Sequence, residues 1–518
     1  MHKRLVYILI GTTFSVAFIW TRLWLIEGDL APFDLTAYQK IDAFYYASLA
    51  FEWIEGAYEP EALKGGLTAL PGGIFYNLCV YFNLALLGDN YYGFRLNVVI
   101  ISLTASLIFS WLMGKRFGLA GFLLSLTFYL VSFPWFMASL EVEPTIYRIF
   151  HVAVLILTII LVNDRQPQEW SASALFFTSV LAFSGFYFVY PTNMFAIAAF
   201  IAFHIYRSIQ LGSWKEFLRF LEWHTTALSV TTVAWMVINK IAYGGSMLVL
   251  GMLFSVGDRV AGVGASTLSS AIHSNLKAMG LFPLFTSMPG LRWVYFLSLI
   301  AMAVVTVIPS LRALIGHTAK DDRRSHDDIT TVFSLFALAL FFQTLFVNDY
   351  PTRKMVAALP FVIFGILLLA SMIKNRHAVA LSAAVVGAMV VATNAPIVYR
   401  ELFATYSENM KRAMISLRVI GDAEVIGGYG QGFRLYNDTH PYLNIYVYKN
   451  SKRNLEIYNK AMEGRLDGVS PEYSVQIMVT PQLIETMTER GYVYEKELWA
   501  GTEQGVGTVG LFRWVGKK

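Results

Sequence analysis

Two apolar runs separated by one basic pair decide the fold class: LNVVIISLTASLIFSWLMGKRFGLAGFLLSLTFYLVSFPWF, residues 96–136. The runs at 96–113 and 118–136 are each long enough to cross a bilayer, which takes about 20 apolar residues. Lys115 and Arg116 lie between them, and short cytoplasmic loops carry an excess of such residues. The stretch therefore predicts two membrane-spanning helices joined by a cytoplasmic turn.

Similar runs recur along the first 400 residues. The chain of 518 residues is 56% hydrophobic and 14% charged, whereas soluble proteins carry about 25% charged residues. A shorter run at 74–88 predicts a helix at the membrane interface or dipping into it. Eleven spans are expected, the first of them uncleaved, at 5–26, 96–113, 118–136, 146–163, 171–188, 191–207, 224–244, 292–309, 330–347, 355–373 and 378–396.

Basic residues set the orientation of these spans. With eleven spans, the loops rich in Lys and Arg all fall on one face, which the positive-inside rule makes cytoplasmic. The opposite face receives the loops 27–92 and 245–291 and the C-terminal region. The pattern predicts a multi-pass membrane protein whose C-terminal domain lies on the non-cytoplasmic side. We expect the membrane to be a prokaryotic plasma or inner membrane, which makes that side periplasmic or extracellular.

Charge density divides the chain near Pro396. Residues 401–518 hold 28 charged positions in 118, and the first 400 residues hold 47. We predict a transmembrane domain at 1–396 and a soluble domain at 397–518. Alternating patterns predict a small α/β domain there, with strands at 424–427, 475–479, 492–498 and 510–515 and a helix at 481–490. The fold class is thus an α-helical polytopic membrane protein with about 11 transmembrane helices and a small C-terminal α/β domain.

Composition also excludes some functions. The net charge of +5 sits largely in short loops, so it indicates topology rather than nucleic-acid binding. Cys79 is the single cysteine, which rules out an internal disulfide and a cysteine-based metal site. No glycine motif with the spacing of a nucleotide site is present.

Acidic residues form two clusters on the predicted outer, non-cytoplasmic face. Asp42 precedes Tyr45 and Tyr46, which suits a general base or a metal ligand. Spacing alone favours the alternative, a solvated interfacial helix whose tyrosines form an aromatic belt. Glu141 and Glu143 come directly before the fourth span. Two interpretations are open: the two glutamates stabilise the N-terminus of the following helix, or they form an acidic pocket together with Asp42.

A basic pair forms a third cluster on the same face. Arg353 and Lys354 precede the tenth span on the side where basic pairs are disfavoured. They suit a lipid phosphate, or they anchor the span by extending to the interface. An acidic and a cationic cluster on one membrane face fit chemistry on a lipid-phosphate substrate.

Several short motifs together resemble those of a known family. In chain order they are Asp42-Ala43-Phe44-Tyr45-Tyr46, Leu70-Pro71, Leu86-Leu87-Gly88, Phe94-Arg95-Leu96, Phe133-Pro134, Glu141-Val142-Glu143-Pro144, Tyr190-Pro191-Thr192, Arg353-Lys354 and Leu359-Pro360. The chain resembles the polytopic GT-C glycosyltransferases that use polyprenyl-phosphate sugars, among them the protein O-mannosyltransferases and lipid A aminoarabinose transferases. It departs from them at Ala43, where many relatives have a second acid, and at Glu143, where many have Asp.

The resemblance implies transfer of a sugar from a polyprenyl-phosphate donor to an acceptor hydroxyl at the non-cytoplasmic face. Asp42 takes the family's position of the general base. Glu143 would orient the acceptor or hold a divalent metal ion, the one cofactor that the resemblance leaves open. Glu141 is the other candidate for that second acid, and Tyr45 and Tyr46 would line the acceptor or metal side.

The same resemblance assigns the donor phosphate to Arg353, Lys354, Lys64 and Arg95. The partners are then the donor, a lipid, glycan or protein acceptor, and the bilayer. Two other functions stay open: a transporter or flippase of lipids or sugars, whose ionisable groups would lie near the midplane, and a polysaccharide polymerase or ligase, which acts on pyrophosphate-linked chains.

Overall fold

The computed structural model describes the chain in segments. They are residues 2–26, 50, 53, 73–88, 90–140, 144–190, 193–243, 324–346, 356–373, 377–403, 424–427, 440–442, 459–460, 462–463, 465, 472–477, 479–501 and 507–516. The predicted span 292–309 and the loop 245–291 lie outside these segments.

Most described residues are helical. The helices are α1 (His2–Leu23), α2 (Ile74–Leu87), α3 (Tyr91–Val131), α4 (Phe133–Ala138), α5 (Pro144–Arg165), α6 (Ala172–Ser184), a π-helix (Gly185–Val189), α7 (Met194–Gln210), α8 (Trp214–Tyr243), α9 (Arg324–Phe346), α10 (Leu359–Met372) and α11 (Ala378–Phe403). Within the described segments, five helical stretches are long and apolar enough to cross a membrane, and four shorter helices are also apolar. The protein is a multi-pass membrane protein.

The paired helices expected at 96–136 are present. Gly118 interrupts α3 with φ 73° and ψ −162°, a conformation that favours glycine, and no atom lies within 4 Å of where its Cβ would be. Conformation rather than space therefore requires glycine at this turn. The second half ends earlier than the sequence predicts, because Ser132 is extended and α4 begins at Phe133.

Side-chain hydrogen bonds cap the N-termini of two of the spans. The Asn90 side chain accepts a hydrogen bond from Gly93 N at 2.9 Å at the start of α3. Ser171 accepts from Ala174 N at 3.2 Å at the start of α6. Both satisfy an amide that a helix N-terminus leaves without a backbone partner.

One apolar core joins the helices. The helix α3 lies at its centre and packs against α1, α2, α5 and α11. Aromatic rings extend this core to α9 and α10, where the Phe333 and Phe364 rings stack with centroids 4.7 Å apart. The long helices are thereby held in one bundle.

At the end of the bundle that the charge pattern predicts to be cytoplasmic, polar side chains join neighbouring helices. Lys115 pairs with Asp164, and Arg116 Nε donates to Thr330 Oγ1 at 2.9 Å. Arg219 pairs with Glu169. Exposed ion pairs contribute little to stability, about 0–1 kcal/mol each, so these contacts mainly show which helices are neighbours at this end.

The C-terminal region contains a mixed five-stranded sheet in the order β2-β1-β3-β5-β4. Its strands are β1 (Glu424–Gly427), β2 (His440–Tyr442), β3 (Tyr473–Ile477), β4 (Tyr492–Gly501) and β5 (Gly507–Trp514). The helix α12 (Pro481–Glu489) packs on β4. The α/β prediction is confirmed; the sequence did not indicate β2.

Candidate functional site

Of the predicted site residues, the structure describes Arg95 alone. The others, which fall between its segments, are Asp42, Tyr45, Tyr46, Lys64, Glu141, Glu143, Arg353 and Lys354. Arg95 Nη1 donates to the Ile26 carbonyl at 2.9 Å, so it ties the start of α3 to the end of α1. Its predicted phosphate contact stays a prediction.

The described neighbours of the three clusters lie at one end of the bundle. This is the end where α5 and α7 begin, and we call it the outer end, after the face that the charge pattern predicts for it. A π-helix, Gly185–Val189, contacts α2, α5, α6, α7 and α8 at this end. Single π-turns inside helices are frequent at functional sites.

Buried polar side chains meet beside this π-helix. Arg148 Nε donates to Asn193 Oδ1 at 3.3 Å, and Asn193 Nδ2 lies 3.4 Å from His151 Nδ1. His151 Nε2 lies 2.7 Å from the carbonyl oxygen of Leu181. All three side chains are at most 5% exposed. They form a chain of hydrogen bonds that we call the Arg148–Asn193–His151 relay.

Only one assignment of donors and acceptors satisfies all the hydrogen bonds of the relay. The Leu181 carbonyl can only accept, so His151 Nε2 carries a proton, and a neutral imidazole then accepts at Nδ1 from the Asn193 amide. That orientation of the amide turns Oδ1 toward Arg148, which can only donate. The relay thus assigns the His151 tautomer and the Asn193 orientation, and it fixes one edge of the Arg148 guanidinium.

Gly185 makes room for the relay. A Cβ at this position would come within 2.2 Å of His151 Cε1 and 2.6 Å of His151 Nδ1. Only a residue without a side chain fits against the imidazole as it stands.

Replacing Gly185 with alanine is therefore expected to destabilise the protein. Overpacking a buried contact costs about 1–3 kcal/mol, which thermal unfolding of the purified protein in detergent would detect. In the Gly185→Ala background, His151→Ala removes the clash, so the double variant should be no less stable than His151→Ala alone. The control is Gly387→Ala, whose Cβ would lie an ordinary 3.5 Å from Leu124 Cδ1. Additive losses in the double variant would contradict the proposed contact.

A second contact anchors the start of α2 to the π-helix. Gly73 has φ 77°, and a Cβ there would lie 2.3 Å from the Val189 carbonyl oxygen. One turn later, the buried Asn77 donates to the Gly73 carbonyl at 2.9 Å and accepts from Ala50 N at 3.1 Å. Asn77 thereby binds the backbone at Ala50, eight residues after Asp42.

Tyr147 links α5 to α3 beside this anchor. Its hydroxyl donates to Asn97 Oδ1 at 2.6 Å, and its ring packs edge-on against Tyr76 at 4.9 Å. The start of α5, which follows Glu143 directly, is thus fixed to both α2 and α3.

A narrow crevice opens beside the relay. Its lining is apolar except for Arg148 and Asn193, and it consists of Phe109, Arg148, Ile149, Val152, Asn193, Phe195, Ala357 and Phe361. Ala357 lies four residues after Arg353. The described turn that follows the predicted basic pair therefore shares this crevice with Arg148.

Arg22 is a second buried arginine at the outer end, in the last turn of α1. Its guanidinium donates to the carbonyls of Tyr129 and Leu130 at 3.0 and 3.2 Å, and to Ser139 Oγ and Thr21 Oγ1 at 3.0 Å each. The two carbonyls belong to the last turn of α3, where helices leave acceptors unsatisfied. Arg22 thus caps α3.

The sequence analysis missed both arginines, because it searched for charge at the edges of spans. Arg22 and Arg148 lie inside the predicted spans 5–26 and 146–163. A basic residue inside an apolar run is costly and commonly functional, so the signal was present. No spacing indicated the contact of His151 with Asn193, which are 42 residues apart.

Within the described segments, no group of three or more His, Cys, Asp or Glu side chains could hold a metal ion. The acids that the resemblance assigns to a metal, Asp42, Glu141 and Glu143, are outside those segments.

Known proteins are similar to this chain in fold. ArnT from Cupriavidus metallidurans in the apo state matches with a TM-score of 0.50 at 13% sequence identity, over 98% of each chain. The chain has the ArnT fold. Because ArnT is a GT-C protein, this confirms the GT-C-like architecture expected from the sequence.

Two further structures match less closely. ArnT bound to undecaprenyl phosphate has a TM-score of 0.48 at 12% identity over 98% of both chains. The Archaeoglobus fulgidus oligosaccharyltransferase in complex with Zn and sulfate has a TM-score of 0.49 at 12% identity, over 96% of this chain and 72% of its own. No protein-family profile and no curated protein sequence matches the chain.

Proposed function

We propose that this protein is a membrane glycosyltransferase that moves a sugar from a polyprenyl-phosphate donor to an acceptor hydroxyl at the outer end. The observation that carries the proposal is the ArnT fold over 98% of both chains. ArnT is a lipid A aminoarabinose transferase.

The arrangement of the outer end supports the same reading. Ala50, which follows the Asp42 motif, is bonded to Asn77. Pro144, which follows Glu143, begins α5. Ala357, which follows Arg353, lines the crevice beside Arg148. The described flanks of all three predicted clusters therefore belong to one end of the bundle.

The reaction needs a base and an activated leaving group. Asp42 takes the proton of the acceptor hydroxyl as its oxygen bonds to the anomeric carbon of the sugar. The bond from that carbon to the phosphate oxygen breaks, and its electron pair leaves with the polyprenyl phosphate. Glu143, or Glu141 in its place, orients the acceptor, with Tyr45 and Tyr46 beside it. A divalent cation bound by these acids would supply positive charge near the acceptor oxygen.

Cationic side chains stabilise the departing phosphate. Arg353, Lys354, Lys64 and Arg95 supply this charge in the proposal, because negative charge grows on the phosphate as the glycosidic bond breaks. The half-buried Arg95, which already holds the end of α1, would do so from the start of α3.

A donor panel tests the proposal. Purified protein in liposomes is given radiolabelled sugars on polyprenyl monophosphate and on polyprenyl pyrophosphate, with a mixed envelope-lipid and glycan acceptor fraction. We expect label to pass to the acceptor from the monophosphate donor, with release of polyprenyl phosphate. Transfer only from the pyrophosphate donor would indicate a polymerase or ligase.

Movement of an intact labelled donor between leaflets, without transfer, would indicate a flippase. The structure gives a reason to favour transfer over transport. Arg22 and Arg148, two of the described arginines that are buried inside predicted spans, lie in the last turn of α1 and the second turn of α5. Both positions are at the outer end rather than at the midplane, where transporters place their ionisable groups.

A further inference from the structure

Two buried histidines meet where α7 turns into α8. His204 lies near the end of α7 and His224 near the start of α8, and both are buried. Both imidazoles contact the ring of Phe220, with centroids 4.0 Å and 4.7 Å away. We call this region the α7–α8 corner. It lies at the end of the bundle that the charge pattern predicts to be cytoplasmic.

Aromatic rings enclose both imidazoles. His204 packs against Phe200 and Trp170, each with its ring centroid 4.8 Å away. His224 packs against Phe183 of α6 with centroids 4.4 Å apart. The two histidines thus belong to the contact that holds the start of α8 against α6 and α7.

The hydrogen bonds of both rings suit the uncharged form. A charged imidazole carries an N–H donor on each nitrogen. The buried Nε2 atoms of His204 and His224 have no hydrogen-bond partner within the described segments. Ser179 Oγ lies 3.0 Å from His224 Nδ1 and leaves the other nitrogen of that ring unserved. A proton on either Nε2 would be a buried donor without an acceptor, which is costly.

Charges near the corner add to this cost. Arg207 follows His204 by one helical turn, and like charges at that spacing repel. Glu216 of α8 and Asp328 of α9 attract Arg207, whereas α6 carries no charged residue. The other charged side chains of the surrounding elements are Lys215, Arg219 and Glu222 on α8, Asp164 and Arg165 on α5, and Glu169 before α6. Two of these acids are engaged in ion pairs with basic side chains.

We propose that the α7–α8 corner is a proton-sensitive contact, in which proton uptake by His204 and His224 releases the start of α8 from α6 and α7. Moving a charge into an apolar surrounding costs more than contact with ring faces returns. Neutral imidazoles therefore favour the packed corner, and charged imidazoles favour an open, hydrated one. The inference does not depend on the proposed function.

The docking of α8 also concerns the other end of the bundle. Farther along α8, Thr232 Oγ1 donates to Tyr187 Oη of the π-helix at 2.8 Å. The helix whose start carries His224 is therefore one of the helices that hold the π-helix.

The effect has a defined pH window. A hydrated histidine takes up a proton near pH 6.5, at about its ordinary value. Below that pH, the open corner binds more protons than the packed corner, so opening becomes easier as the pH falls. The opening constant should rise by up to about tenfold per histidine for each pH unit.

Hydrogen–deuterium exchange of the full chain in detergent, corrected for the intrinsic exchange rate, tests this at pH 7.5 and 5.5. For wild-type amides at 204–224, we expect the opening constant to be about 10- to 100-fold larger at pH 5.5. Amides of α3 should keep theirs. His204→Phe retains a ring against Phe220 but cannot take up a proton, so it should reduce the rise by about tenfold.

Two further variants complete the comparison. Ser179→Ala with His224→Phe removes the second histidine together with its partner, and adding both changes to His204→Phe should abolish the pH effect at the corner. The matched control is His377→Phe, which removes an exposed histidine between α10 and α11. It should exchange as the wild type does at both pH values.

Four results would overturn the proposal. They are pH-independent exchange at 204–224 in the wild type, an equal rise in α3, an undiminished rise without both histidines, and a loss of the rise in His377→Phe. If the triple variant does not fold, the comparison of the wild type with His204→Phe decides. If His204→Phe does not fold either, the wild-type ratio between the corner and α3 decides.

Discussion

Asp42→Asn is expected to abolish sugar transfer while the protein still folds and inserts. The amide has the size of the carboxylate but cannot take a proton from the acceptor hydroxyl. Loss of a general base lowers rates by about 10²- to 10⁴-fold. The initial rate of label transfer from the polyprenyl-monophosphate donor measures the effect.

Asp34 supplies the matched control, because it lies in the same predicted loop 27–92 and outside the acidic-aromatic motif. Asp34→Asn should transfer sugar at the wild-type rate. Size-exclusion profiles and melting temperatures in detergent should coincide for both variants and the wild type. Full activity of Asp42→Asn would remove this residue from the reaction.

Gly73→Ala should have the largest effect on stability. At φ 77° and ψ 161°, alanine is strained by about 1–3 kcal/mol. The new methyl would also lie 2.3 Å and 2.7 Å from the carbonyl oxygens of Val189 and Phe188. Backbone atoms cannot rotate away as a side chain does, so α2 must separate from the π-helix. We expect the Asn77 contact with Ala50 and the transfer activity to be lost together.

The Gly212→Ala variant is a control that measures the effect of backbone strain without a close contact. Gly212 also has a positive φ, 63°, but no atom lies within 4 Å of where its Cβ would be. Alanine there should lower the melting temperature by the strain alone, at a cost of about 1–2 kcal/mol. If Gly73→Ala were no more harmful than Gly212→Ala, the close approach of α2 to the π-helix would be wrong. A Gly73→Ala protein that cannot be purified while Gly212→Ala can would agree with the prediction.

Hydropathy predicted the described helices because burial in lipid depends on local composition. It located α5, α6 and α11 to within a few residues at the starts. Hydropathy failed where a helix ends or bends without a change in the polarity of the sequence. The break at Ser132 lies within an apolar run that continues through Phe133, Trp135 and Phe136, so no composition signal marks it. It also placed the start of α8 ten residues late, because the first turns carry Lys215, Glu216 and Arg219.

The outer end was only partly predictable. Motif order pointed to the segments around Asp42, Glu143 and Arg353, whose positions stay predictions. The relay was not predictable, since it depends on three segments that approach one another only in the folded bundle. The π-helix at Gly185–Val189 gave no signal either, because one extra residue in a turn leaves the apolar pattern almost unchanged.

The cap that Arg22 provides has a consequence for biosynthesis. Its partners at 129–139 follow it by 107 to 117 residues. A ribosome adding roughly 5–20 residues per second takes several seconds to reach them. Throughout that delay, the first span carries a guanidinium three of whose four acceptors have not been made. We therefore expect Arg22 to stay near the water interface when the first span inserts, and to enter the bundle only when the third span arrives.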